Sequence, residues 1–332
     1  MDSINKRDIH VLKYFSSFVS VSCGQVINIT EPTLTFCPLA KHLCKDFSNI
    51  LGKDKETIKN AIKSAIESKI KDYGFFTDNR KLSYGDVSIP YGASEMLMFA
   101  LRKSVIDAAV VVCEGAGTVI TDAPEIVQGI GARMNSLLLT SPIKGIIKKL
   151  KTAGCRIVSE NALIDQSQGV KEAIKAGYKT IAVTVSGDSA ENLKRLRLLE
   201  KENGVKIILL AVCTTGVDRD KIALIGDYAD LVWSCASFDV RQMIGPLAII
   251  QLSKQIPVFV LTKNGVDFVS AYADESRLIN SLDTKKQYLF SNEYSKQCVH
   301  LGSFKVFISE SKLPVNARSV PSFKGKNEYA PV

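Results

Sequence analysis

Between residues 106 and 273 short apolar runs alternate with helical stretches, and this alternation constrains the fold more than any other feature of the sequence. The runs fall at 108–113, 137–140, 156–159, 180–185, 207–213, 231–235 and 257–262. They are rich in Val, Ile and Leu and lack the apolar–polar alternation of a strand with one wet face. Strands of that kind are buried on both sides. Segments with 3.6-residue apolar spacing lie between most of them, so the zone specifies an α/β fold with helices covering both faces of a parallel sheet.

The same zone reads as two related halves. Val111-Val112-Cys113-Glu114-Gly115 answers Ala211-Val212-Cys213-Thr214-Thr215-Gly216, Leu137-Leu138-Leu139-Thr140-Ser141 answers Leu231-Val232-Trp233-Ser234-Cys235, and Arg156-Ile157-Val158 answers Val258-Phe259-Val260. The expectation is two Rossmann-like parallel-sheet units around a cleft, with a single continuous sheet as the alternative. The boundaries follow the pattern: an N-terminal accessory α+β region over 1–104, a first α/β unit over 105–203, a second over 204–275, and a C-terminal strand and tail over 276–332. In the first of these, 19–23 and 26–29 read as a hairpin turned at Gly24-Gln25. A short helix runs through Cys44, and a lysine-rich helix over 53–71 follows it. In the last, 304–308 reads as an edge strand.

Composition narrows the classes further. Of 332 residues, 46% are hydrophobic and 23% charged, which excludes a disordered chain, a collagen and a small disulfide scaffold. No run of about 18 apolar residues is present; the longest candidate, 11–29, is cut by Lys13, serines and Gln25, so no membrane partner is expected. The first eight residues carry acids and do not read as a secretory signal, which points to the cytoplasm and to reduced thiols. The net charge of +9 comes from 43 basic against 34 acidic residues. Much of the excess lies on the lysine helix, where Ile58, Ile62, Ile66 and Ile70 stand four apart opposite the lysines. That is the pattern of a docked helix with a solvated basic face, and nucleic acid is not an expected partner.

The motif Cys113-Glu114-Gly115-Ala116-Gly117-Thr118-Val119-Ile120-Thr121, followed by Gln128-Gly129-Ile130-Gly131-Ala132-Arg133-Met134, is distinctive. Together with Phe36-Cys37-Pro38-Leu39, Tyr91-Gly92-Ala93-Ser94-Glu95, Ile164-Asp165-Gln166 and Cys235-Ala236-Ser237, it resembles the methanogenesis marker protein 8 family. The resemblance spans nearly the whole chain and is weakest before residue 30 and after about 290. It implies a cytosolic protein that accompanies the methane-forming pathway, an accessory assisting maturation or cofactor handling for the terminal reductase, with protein partners in that pathway. The family carries no established reaction, so the resemblance implies no catalytic residues.

Local chemistry supplies the candidate sites. Ligands collect beyond the carboxyl ends of parallel strands. Cys113, Cys213 and Cys235 sit at such ends, and Cys37, with Cys44 beside it, is placed to reach the same mouth. Four thiolates suit an iron–sulfur cluster or zinc. The chain has no Cys-x-x-Cys pair, and packing residues are the alternative; Cys23, Cys155 and Cys298 read as filler. Gly115, Gly117 and Thr118, and likewise Gly187 and Ser189, follow strands in glycine-rich turns whose amides suit a small anionic ligand. If so, Gly117→Val should weaken binding while the fold stays intact. Asp122 and Glu125 have capping-box spacing, as do Asp165 and Gln168. Gly92 and Ser94 open another helix start. Cys113 as a thiolate, or Glu114 as a turn carboxylate, would serve an enzyme acting on a small anionic metabolite. A non-catalytic scaffold is the third reading. His10, His42 and His300 lie far from these turns, which argues against a Ser–His–Asp triad.

Overall fold

A computed structural model describes residues 8–14, 17–33, 54–87, 89–235 and 237–316. Cys37, Cys44, His42 and the 36–39 motif lie outside the described residues. Near the N-terminus, β1 (His10–Tyr14), β2 (Ser17–Ser22) and β3 (Gln25–Ile29) form an antiparallel meander. The β2–β3 turn is at Cys23 and Gly24, both left-handed, one residue earlier than the sequence suggests. Cys23 is exposed there rather than filling the core.

The lysine-rich helix runs Lys55–Tyr73. Asp54 caps it by accepting from the Thr57 amide, and Gly74 ends it in the left-handed conformation. Ile58, Ile62 and Ile66 are fully buried against Leu12, Val19 and Val21 of the small sheet. Each such side chain contributes about 1.5–3 kcal/mol on leaving water. The lysine face is left to solvent, apart from Lys69, whose ammonium is tucked onto the Arg133 carbonyl at 2.8 Å.

The large sheet is mixed. It contains β4 (Ala108–Cys113), β5 (Gly117–Thr121), β7 (Arg156–Ile157), β8 (Thr180–Ser186), β9 (Lys206–Val212), β10 (Leu231–Trp233), β11 (Ile250–Leu252), β12 (Val258–Val260), β13 (Tyr288–Ser291), β14 (Gln297–Leu301) and β15 (Phe304–Glu310). The order is β14-β15-β13-β11-β12-β10-β9-β8-β4-β5-β7. A parallel run of four, β4-β8-β9-β10, occupies its centre, and β11 and β13 are also parallel; the remaining pairs are antiparallel. One apolar core lies under the Ala93–Arg102, Pro124–Gly131, Lys144–Thr152 and Lys263–Tyr272 helices. The other lies under Gln166–Lys175, Glu191–Asn203, Arg219–Tyr228 and Phe238–Ile244.

Both expected halves thus share one sheet, and the repeat breaks at its second member. β6 (Ser136–Thr140) leaves the large sheet and pairs antiparallel with β1, whereas its expected counterpart β10 lies beside β9. Leu137 is buried and Leu139 exposed although they stand two apart, because the β1–β6 register shifts between Val11 and Leu12, their partners. The segment 304–310 is not an edge, because β14 covers it.

The Gly115–Gly117 turn also differs from expectation. β4 and β5 form a hairpin, so these glycines join strand to strand and not strand to helix. The following helix, Pro124–Gly131, has Ala123 at its N-cap and no side-chain cap; Asp122 instead accepts from the Tyr178 hydroxyl at 2.9 Å. Asp165 does cap its helix, accepting from Gln168 N at 2.9 Å.

Candidate functional site

Because β4, β8 and β9 run parallel, residues 108–113 and 207–213 end on the same side of the sheet, with β8 between them. A cavity of about 200 Å³ opens there. Its wall is made by Val111 and Val112 of β4, Thr184 and Ser186 of β8, Val212 and Cys213 at the end of β9, and Trp233 and Cys235 at the end of β10. The opposite wall comes from the start of the Ala93–Arg102 helix, through Gly92, Ser94 and Glu95, and from the 131–137 turn into β6. Carboxyl ends of parallel strands are where open α/β sheets hold ligands.

Backbone strain gathers around this cavity. Tyr91, Arg133, Cys213 and Cys235 are left-handed, with φ of 58°, 65°, 56° and 46°. Three of them line the cavity; the fourth, Tyr91, accepts from Trp233 Nε1 at 2.7 Å and fixes that wall. A non-glycine residue held this way costs about 1–3 kcal/mol and persists where the surroundings impose it, which is common at functional sites.

The lining is mostly aliphatic, with a band of hydrogen-bonding groups. Ser136 and Ser186 hydroxyls lie 2.9 Å apart, and Thr184, Ser189 and Gln166 add polar atoms nearby. Glu95 is buried but well supplied with donors: the Ile89 amide at 3.2 Å, Gln128 Nε2 at 3.1 Å and the Ser94 hydroxyl at 3.0 Å. It braces the helix start. Burial pushes the neighbouring Tyr91 phenol up to about 12, so the ring stays neutral.

Of the residues expected from sequence, Gly92, Ser94, Ser189, Cys213 and Cys235 line this cavity. Gly187 stands behind it, against Val217 and the Thr214 backbone. Cys113, Glu114, Gly115, Gly117 and Thr118 are not part of the lining, and their expected roles are corrected by their partners. Glu114 is completely buried in an ion pair with the equally buried Arg80, so it is not a solvated turn carboxylate. Arg80 also donates to the Gly129 carbonyl at 2.8 Å and stacks 3.8 Å from the centre of the Phe75 ring. Cys113 is fully buried outside the cavity lining, so no ligand in the cavity reaches its sulfur, and burial, reinforced by Glu114, pushes its thiol well up.

The turn amides expected to hold an anion are occupied by the protein itself. Gly115 N donates to Thr140 Oγ1 at 2.7 Å and Thr118 N to the Leu163 carbonyl at 2.9 Å. A Cβ on Gly117 would stand 2.4 Å from the Ala162 carbonyl, so Gly117→Val would disrupt the fold rather than binding alone. The cysteines converge only in part. Among the described residues no group of three or more His, Cys, Asp or Glu side chains is arranged to hold a metal.

Ser136, Ser186, Arg133 and Trp233 were not anticipated. The signal for Arg133 was in the 128–134 motif, whose distal half, Gly131 to Met134, forms one rim.

Comparison with known proteins follows this geometry. A family model described as an uncharacterized protein conserved in archaea (DUF2099) matches residues 10–273, which includes every residue lining the cavity. An uncharacterized protein of Methanocaldococcus jannaschii is 39% identical over 265 residues, covering 79% of this chain and 89% of that protein. No solved structure matches the chain. Among the described residues no helix is long and apolar enough to cross a membrane.

Proposed function

The chain belongs to the archaeal DUF2099 family, and from the geometry of its strand-end cavity we propose a small-molecule-binding role for it. The ligand has an apolar body and one oxygen-rich, hydrogen-bonding or anionic head. The observation that carries this reading is the ring of left-handed residues around a cavity at the carboxyl ends of β4, β8, β9 and β10. Aliphatic walls suit the body, and the Thr184, Ser186, Ser136 and Ser189 hydroxyls suit the head.

The biological setting is a cytosolic accessory protein of the methane-forming pathway, handling a cofactor or assisting maturation for the terminal reductase. Two considerations support it: the resemblance to methanogenesis marker protein 8, and a relative from a methanogen. Protein partners belong to the same proposal. An iron–sulfur or zinc site has less to stand on, since Cys113 is fully buried and does not line the cavity that Cys213 and Cys235 share.

Native mass spectrometry of the protein isolated without oxygen from a methane-forming archaeal host tests the reading. A small molecule should accompany the wild-type chain and be lost from Val212→Phe, which fills the cavity. Bare chain mass for both proteins would refute it.

A further inference from the structure

We propose that Cys213 and Cys235 are a redox-active pair, forming a reversible disulfide at the cavity wall by exchange with a low-molecular-weight organic disulfide. The two thiols sit at the ends of neighbouring parallel strands, and both line the cavity. Cys213 directly follows the end of β9 at Val212, Cys235 stands two residues past the end of β10 at Trp233, and both are left-handed, so the chain leaves the sheet at each thiol. Neighbouring strands lie about 4.8 Å apart, and a disulfide needs a Cα separation of about 4.4–6.8 Å. The Cys213 and Thr214 amides and the Thr215 hydroxyl all act on the Cys235 thiol, which places it beside the 213–215 segment.

Arg241 gives the second, independent observation. It is buried, it donates to the carbonyls of Cys235 at 2.9 Å and Gln255 at 3.1 Å, and its Nε has no hydrogen-bond partner. No carboxylate among the described residues pairs with it. A buried guanidinium favours a negative charge nearby, and Arg241 stands close enough to the Cys235 sulfur to stabilise a thiolate formed there. Burial pushes the Cys235 thiol up, against the opposing pull of the amides, the Thr215 hydroxyl and Arg241. These donors and Arg241 would stabilise a thiolate at Cys235 once it forms, and Cys235 is therefore taken as the attacking sulfur.

The exchange is balanced in two steps. Cys235 thiolate attacks one sulfur of the organic disulfide; that S–S bond breaks, a mixed disulfide forms, and the leaving thiolate takes the proton Cys235 gave up. Cys213 thiolate then attacks Cys235 Sγ, and the second organic thiol leaves with the Cys213 proton. The protein dithiol is oxidised by two electrons and the organic disulfide is reduced to two thiols.

The proposal rests on the cavity reading only for the route by which the disulfide enters. The test uses the full chain, reduced and then exposed to 2,2′-dithiodipyridine, with peptide mapping by mass spectrometry. Wild type should yield a peptide linking Cys213 to Cys235, lighter by two hydrogens and reopened by dithiothreitol. Cys213→Ser should retain a pyridylthio adduct on Cys235. Absence of the linked peptide in wild type, with both cysteines still alkylated by iodoacetamide, overturns the proposal without recourse to any variant. A mixed disulfide on wild-type Cys235 that Cys213 never resolves overturns it as well. Loss of dye binding to the cavity, measured separately through Trp233, would mark failure of the cavity reading instead.

Discussion

His10 is buried between β1 and β6, its Nδ1 2.6 Å from Thr140 Oγ1, its ring against Phe76 and its Nε2 3.4 Å from Asp8. Burial lowers its pKa, against the pull of Asp8 and Glu114. The unfolded chain therefore takes up the proton first as pH falls through about 6.5, so the neutral ring's contribution to stability is present above that pH and lost below it. Urea unfolding between pH 7.5 and 5.5 should show stability falling with pH, and His10→Gln should flatten that slope; an unchanged slope would clear His10 of the effect. Arg80 and Glu114 make a second residue-level prediction. Removing one partner of a fully buried pair leaves a bare charge, so Arg80→Met should cost about 3–5 kcal/mol in chemical denaturation. A loss near zero would mean that water reaches Glu114.

Elements pack closely where the sequence marked its motif. In the Pro124–Gly131 helix, a Cβ on Gly129 would stand 2.0 Å from the Leu82 carbonyl, while the Gly129 carbonyl accepts from Arg80. Gly129→Ala must push the 80–83 segment away, and thermal unfolding should register a loss of about 1–3 kcal/mol. Unaltered melting would refute this close approach. The same scale explains what the sequence disclosed. The central strands were legible because unbroken Val and Ile runs have no other economical use, and the lysine helix because its isoleucines stand four apart. The β4–β5 hairpin was not, since Gly-Ala-Gly before Thr-Val-Ile is as compatible with a strand-to-helix turn as with a strand-to-strand one. Nor was the departure of β6, because Leu137-Leu138-Leu139 is an unbroken apolar run and pairing with β1, some 130 residues away, leaves no local signal. For the site, strand-end position identified Cys213 and Cys235 but also drew in Cys113 and Glu114. Their fate depended on Arg80, a partner that no spacing rule connects to them.

At the scale of the whole molecule, a mixed sheet covered on both faces lines its strand-end cavity with several distant segments: 92–95, 131–137, 184–189, 212–213 and 233–235. The Ser136 and Ser186 hydroxyls, hydrogen-bonded to each other at this cavity, join the small sheet to the large one. Replacing both with alanine should weaken ligand binding by roughly tenfold, since a hydrogen bond is worth about 0.5–1.5 kcal/mol and the head group loses more than one donor or acceptor. The most direct measurement uses the chain's one tryptophan, Trp233, which lines the cavity. Titration with 1-anilinonaphthalene-8-sulfonate, an apolar body with one anionic head, should give saturable energy transfer from Trp233 at one dye per chain, abolished in Val212→Phe with the fold unchanged. Transfer that is absent in the wild type, or that persists undiminished in Val212→Phe, would contradict a ligand site at the strand ends.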